Sequence, residues 1–62
     1  MPIIRVELLS GRTTEQKRQF AEVVTADAAR ILRCAPDAVS VVFQDVAPAD
    51  WANGGKLVAD KG

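Results

Sequence analysis

A chain with a single cysteine, Cys34, and no histidine lacks the two staples that very small domains ordinarily use. One thiol cannot close a disulfide within the chain, and without histidine the usual ligand sets of a structural zinc site are missing. This matters because the chain has only 62 residues. A domain of that size buries only about 60% of the surface its unfolded chain exposes, so another device has to complete it. Association with further copies is the device left. The apolar content of 48% supplies surface for it. The expectation is one domain spanning residues 1–62 that works as an oligomer.

Charge narrows the function classes. Eight basic and eight acidic residues cancel, and no basic run or aromatic platform interrupts that balance, so no nucleic-acid partner is expected. No apolar stretch reaches the length of a membrane span. Arg5 and Glu7 break the one early apolar run, so no signal peptide is expected and a cytoplasmic location is the default.

Along the chain, Pro2 to Leu9 reads as a strand, with Ile4, Val6 and Leu8 on one face and Ile3, Arg5, Glu7 and Leu9 on the other. Ser10-Gly11 ends it. Thr13 is a good N-cap and Gln16 completes a capping box. The spacing of Phe20, Val24, Ile31 and Leu32 predicts a helix over about Thr14 to Arg33, with Lys17, Arg18, Glu22 and Arg30 for its wet side. Pro36 lies beyond it. Ala38 to Gln44 reads as a second strand, polar only at Ser40 and Gln44, which predicts a parallel sheet covered on both faces. Asp45 to Ala52 reads as a loop capped by Asp45 and Asp50. Gly54-Gly55 marks a tight turn, and Lys56 to Ala59 a short strand. The fold class is therefore α/β (α+β): one βαβ unit with a short C-terminal hairpin or strand. Such a unit leaves sheet edges and apolar faces open.

Without histidine there is no Ser-His or Cys-His pair, and Gly54-Gly55 lacks the flanking pattern of a phosphate loop. Cys34, with no histidine partner in the chain, reads as structural. Pro2 stands apart. If Met1 is removed, Pro2 presents a free secondary amine. An α-amino group has a pKa of about 8, and an apolar pocket or a nearby arginine lowers it, giving a neutral base. On its own, Pro2 reads first as the ordinary start of an edge strand.

The segments Pro2-Ile3-Ile4 and Leu9-Ser10-Gly11-Arg12-Thr13-Thr14-Glu15-Gln16-Lys17, followed by Trp51-Ala52-Asn53-Gly54-Gly55, resemble the 4-oxalocrotonate tautomerase family over nearly the whole chain. The resemblance implies βαβ subunits assembled as a homohexamer, a trimer of dimers. It implies no metal and no cofactor. Pro2 would be the catalytic base and acid for enol–keto interconversion of a small carboxylate, and Arg12 would bind that carboxylate. A planar guanidinium suits the task, because it can grip a carboxylate with two parallel hydrogen bonds. Trp51 stands where the family carries an active-site aromatic, although it could equally be packed at a subunit interface.

One residue departs from the pattern. Ser40 occupies the position of a second arginine in the best-known members. A hydroxyl there makes a much weaker contact than a charge-assisted pair, which favours a monocarboxylate such as an arylenolpyruvate or a 2-hydroxydienoate. Arg5 is a candidate substitute. Two other readings stay open: hydration or dehalogenation of an unsaturated acid, with Asp50 as a weak candidate for activating water, and a non-catalytic subunit of a hetero-oligomer.

Overall fold

The computed structural model describes residues 1–61. Strand β1 (Ile3–Leu9) and strand β2 (Ser40–Val46) form a two-stranded parallel sheet, and helix α1 (Thr14–Leu32) connects them. A hairpin of β3 (Ala52–Asn53) and β4 (Lys56–Leu57) follows. Short 3₁₀ turns at Pro36–Ala38, Pro48–Asp50 and Val58–Asp60 join these elements.

Local signals set most of the boundaries. The Thr13 side chain accepts from the Gln16 backbone N–H at 3.1 Å, and the Gln16 side chain accepts from the Thr13 N–H at 2.9 Å. Both halves of the expected capping box are thus present. The helix stops one residue earlier than expected. Arg33 turns left-handed (φ 57°) as its cap, and its N–H reaches the Ala29 carbonyl, the usual way for a helix end to satisfy its last carbonyls. Gly54 and Gly55 have φ of 59° and 83°, the pair of positive values a two-residue hairpin turn needs.

The second strand lies two residues later than the sequence suggests. Ala38 belongs to a 3₁₀ turn begun by Pro36, whose carbonyl accepts from Val39. Asp45 and Val46, expected in a loop, extend the sheet opposite Leu8 and Leu9. Lys56–Leu57 is a strand as expected, but Val58–Asp60 turns away.

Helix and sheet meet on one face only. Val6, Leu8 and Phe43 turn toward α1, and Phe20 sets its ring edge-on to Phe43 with centroids 6.2 Å apart. Such a contact is worth about 0.5–1.5 kcal/mol beyond area burial. Lys17, expected on the wet side, instead reaches the sheet and pairs with Asp45 at 2.9 Å. Asp45 is thus a helix-to-strand tie and not a loop cap. The opposite face, with Ile3, Arg5, Glu7, Ser40, Val42 and Gln44, is open. The expected cover on both sheet faces is therefore absent from the single chain.

The unit has almost no interior. Among the described residues only Ala28 is buried, while Val23 and Ile31 are each 63% exposed. The Cα radius of gyration is 14.8 Å, against about 11 Å for a compact chain of this length. Its 4724 Å² of accessible surface exceeds that of a typical folded monomer of its mass by roughly 800 Å², about what one partner contributes to a standard interface.

Relieving the left-handed cap gives a direct test of the local reading. Arg33→Gly removes a Cβ from a conformation costing about 1–2 kcal/mol and adds chain entropy of about 0.5–1 kcal/mol to the unfolded state. The expected outcome is a small net stabilisation, read as a higher urea midpoint at fixed protein concentration.

Candidate functional site

The parallel register distributes the chemistry-bearing residues along the sheet. Pro2 immediately precedes β1 and is half-buried. Its carbonyl accepts from the Ser40 backbone N–H at 2.9 Å, and Ser40 lies opposite Ile3 in the register. The main chain at Pro2 is thereby held against the first residue of β2. Ser40 and Pro2 thus sit together at one end of the sheet.

Arg12 lies beyond the other end. The Ser10 N–H donates to the Val46 carbonyl at 2.9 Å, which pins the chain as it leaves β1. Gly11 then takes a φ of 120°, a value that L side chains rarely adopt, and swings Arg12 into the approach to α1. The seven residues of β1 separate the two ends by about 20 Å. Within one chain, then, the structure does not bring Pro2 and Arg12 together.

Arg12 is exposed and, among the described residues, enters no side-chain hydrogen bond or ion pair. It lines a cavity of about 260 Å³ with Val6, Leu8, Gln16, Lys17, Phe20 and Phe43. The walls are apolar, and the polar atoms come from the first turns of α1. The sequence alone does not carry this neighbourhood. The i, i+4 spacing of Gln16 and Phe20 puts those two on one helix face, but only the pairing of β1 with β2 brings Phe43 near them.

Trp51 stands at the same end as Arg12 but at a different opening. It is half-buried and lines a shallow cavity of about 300 Å³ with Glu7, Val46, Asp50 and Ala52. Its carbonyl accepts from the Val58 N–H at 2.8 Å, fastening the hairpin region behind it. Asp50 lines this cavity too, far along the sheet from Pro2 of the same chain. Arg5 projects on the face that carries Ser40, one pleat repeat further along β1. Cys34, half-buried after the end of α1, has a free thiol. Among the described residues no group of three His, Cys, Asp or Glu side chains could hold a metal ion.

The chain is similar to known proteins over nearly its full length. A family model described as Tautomerase enzyme matches residues 2–61. A probable tautomerase of Halalkalibacterium halodurans is 34% identical over 61 residues, covering 98% of this chain and 100% of the relative. The crystal structure of a 4-oxalocrotonate tautomerase homologue superposes with a TM-score of 0.94 at 37% identity, covering 100% of this chain and 98% of the other. A heterohexamer 4-oxalocrotonate tautomerase from Chloroflexus aurantiacus gives a TM-score of 0.92 at 34% identity, with both chains fully covered.

Proposed function

The chain belongs to the tautomerase family, and on that premise we propose that it is an isomerase interconverting the enol and keto forms of a small carboxylate, with Pro2 as the proton carrier. The observation that carries this reading is the placement of Pro2. The family match begins at that residue, and its carbonyl is tied to Ser40 at the mouth of the sheet. Its nitrogen becomes an amine once Met1 is removed.

The chemistry asks little of the protein. The neutral amine of Pro2 accepts the proton of the enol hydroxyl, and the electron pair of that O–H bond forms the carbonyl. The enol double bond shifts, and the resulting ammonium returns its proton to a carbon of the substrate. The proton ends on carbon and the amine is regenerated, so the step needs no external reagent.

Arg12 anchors the substrate carboxylate. Its free guanidinium, set beside apolar walls, can offer two parallel hydrogen bonds to a carboxylate. Because Pro2 and Arg12 occupy opposite ends of one subunit, each site takes Pro2 from one subunit and Arg12 from another. The open sheet face and the exposed apolar residues of α1 supply the surface for that assembly, in the proposed form of a homohexamer. Trp51 of a neighbouring subunit closes the site as an apolar wall and helps keep the Pro2 amine neutral.

Ser40 sets the substrate class. Next to Pro2 it offers one neutral hydroxyl, so a substrate held by one arginine, such as an arylenolpyruvate or a 2-hydroxydienoate monocarboxylate, fits better than a dicarboxylate. Arg5, on the same face, is the nearest cation along the sheet to make up part of the difference.

Two outcomes test this reading. The mature chain loses the mass of Met1, and Pro2→Ala lowers ketonisation of phenylenolpyruvate by at least 100-fold, the lower range for a general base; retention of the wild-type rate contradicts the role of Pro2. Ser40→Arg raises kcat/KM for the dicarboxylate 2-hydroxymuconate relative to phenylenolpyruvate by about tenfold, the worth of one charge-assisted hydrogen bond. Steady-state kinetics on the two substrates measure that ratio.

A further inference from the structure

The ion pair between Lys17 Nζ and Asp45 Oδ2, at 2.9 Å, is the only one among the described residues that joins two secondary-structure elements. Its position is unusual for a simple surface tie. Lys17 lines the same cavity as Arg12. Asp45 sits opposite Leu8 in the sheet register, and Leu8 is another wall of that cavity. The Lys17 side chain is 25% exposed and that of Asp45 47%, so the pair is partly withdrawn from water. Two cations and one carboxylate therefore share one end of the fold, and the carboxylate is matched to the lysine.

We propose that Lys17 is a positioning residue for substrate binding: by neutralising Asp45 it prevents that carboxylate from capturing Arg12, which stays free for the carboxylate of the substrate. The inference rests on the reading of Arg12 as the anchor and adds how the anchor is kept available. An arginine is the better partner for a carboxylate, because its planar fork makes two parallel hydrogen bonds where an ammonium acts as a point charge. A carboxylate fixed nearby on the same protein also competes at high effective concentration against a substrate free in solution. An unpaired Asp45 would therefore be an internal competitor.

The other acid close to Arg12 is disposed of in the same way. Glu15, three residues further on, is paired with Arg18. Both carboxylates near the start of α1 are thus engaged by cations other than Arg12, and Arg12 is left with no partner among the described residues. Lysine suits the role because its long apolar stem can lie along the walls while its ammonium reaches Asp45.

A mere clamp between helix and strand makes a different prediction. Losing either partner, or both, would loosen the fold and weaken catalysis in the same direction. Competition for Arg12 gives opposite signs for the two partners. The test measures kcat, KM and melting temperature on the full chain, with phenylenolpyruvate as the probe. The variants are Lys17→Met, Lys17→Arg, Asp45→Asn, the double variant Lys17→Met/Asp45→Asn and, as reference, Arg12→Ala.

The expected result is a KM about tenfold higher for Lys17→Met, the worth of one charge-assisted hydrogen bond, with kcat largely kept. Lys17→Arg and the double variant return KM to near the wild-type value, and Asp45→Asn does not raise it. If Lys17→Met fails to fold, Asp45→Asn and the double variant still decide, because neither leaves Asp45 charged and unpaired: a raised KM in either overturns the inference. An unchanged KM in Lys17→Met beside a raised KM in Arg12→Ala overturns the inference and spares the anchor. An unchanged KM in Arg12→Ala overturns the anchor and this inference with it.

Discussion

Water reaches nearly every side chain of the isolated subunit, and the consequences of that run through the whole structure. One helix against two strands has a single internal face, and the longest dimension of the chain, 43 Å, is more than three times its shortest, 13 Å. The edge-to-face contact of Phe20 with Phe43 lies on that one internal face, and Ala28 is the only buried residue among those described. No cysteine pair or histidine cluster makes up the difference. The apolar side chains left outside, Val23, Ile31 and Leu32 on the helix and Ile3 and Val42 on the open sheet face, are the complement of that missing interior. Their number is hard to reconcile with a monomer, whose exposed apolar residues are usually scattered.

The same shortage of interior explains why the proposed site is divided. A single βαβ unit has no concavity deep enough to enclose a substrate, and its two chemical ends are held apart by the length of β1. Pro2 is fixed to Ser40 through its carbonyl, and Arg12 is carried past the opposite end by Gly11. The proposed assembly would solve both problems with the same surfaces. Contacts that bury the exposed apolar residues would also bring Pro2 of one subunit toward Arg12 of another. Stability and catalysis would then depend on one set of interfaces.

Much of this was legible in the sequence, and the misreadings have physical causes. The capping box at Thr13 and Gln16, the glycine pair at the hairpin and the alternation in β1 are local signals, and each is found in the structure. Periodicity starts the second strand two residues too early, because Pro36 can either follow a helix or open a 3₁₀ turn and the pattern does not distinguish the two. Residue type alone places Lys17 in solvent, because lysine on an amphipathic helix usually is solvated. Its real partner is 28 positions away in the chain, and only the β1–β2 register brings the two together. Pro2 stands out by the chemistry its amine would have, whereas Arg12, Ser40 and Trp51 are picked out by the resemblance to the family. That they occupy different ends and faces of one subunit is a property of the register, which no local pattern carries.

The division of the site between subunits is tested most directly by complementation. Pro2→Ala and Arg12→Ala are each purified, mixed in equal amounts, unfolded and refolded together, and assayed against either variant refolded alone. With Pro2 and Arg12 drawn from different subunits, random assembly leaves some sites with both residues intact. Activity should then recover to roughly a quarter of the wild-type level. If both residues of a site came from the same subunit, every site would carry a defect, and the mixture would remain as inactive as its components.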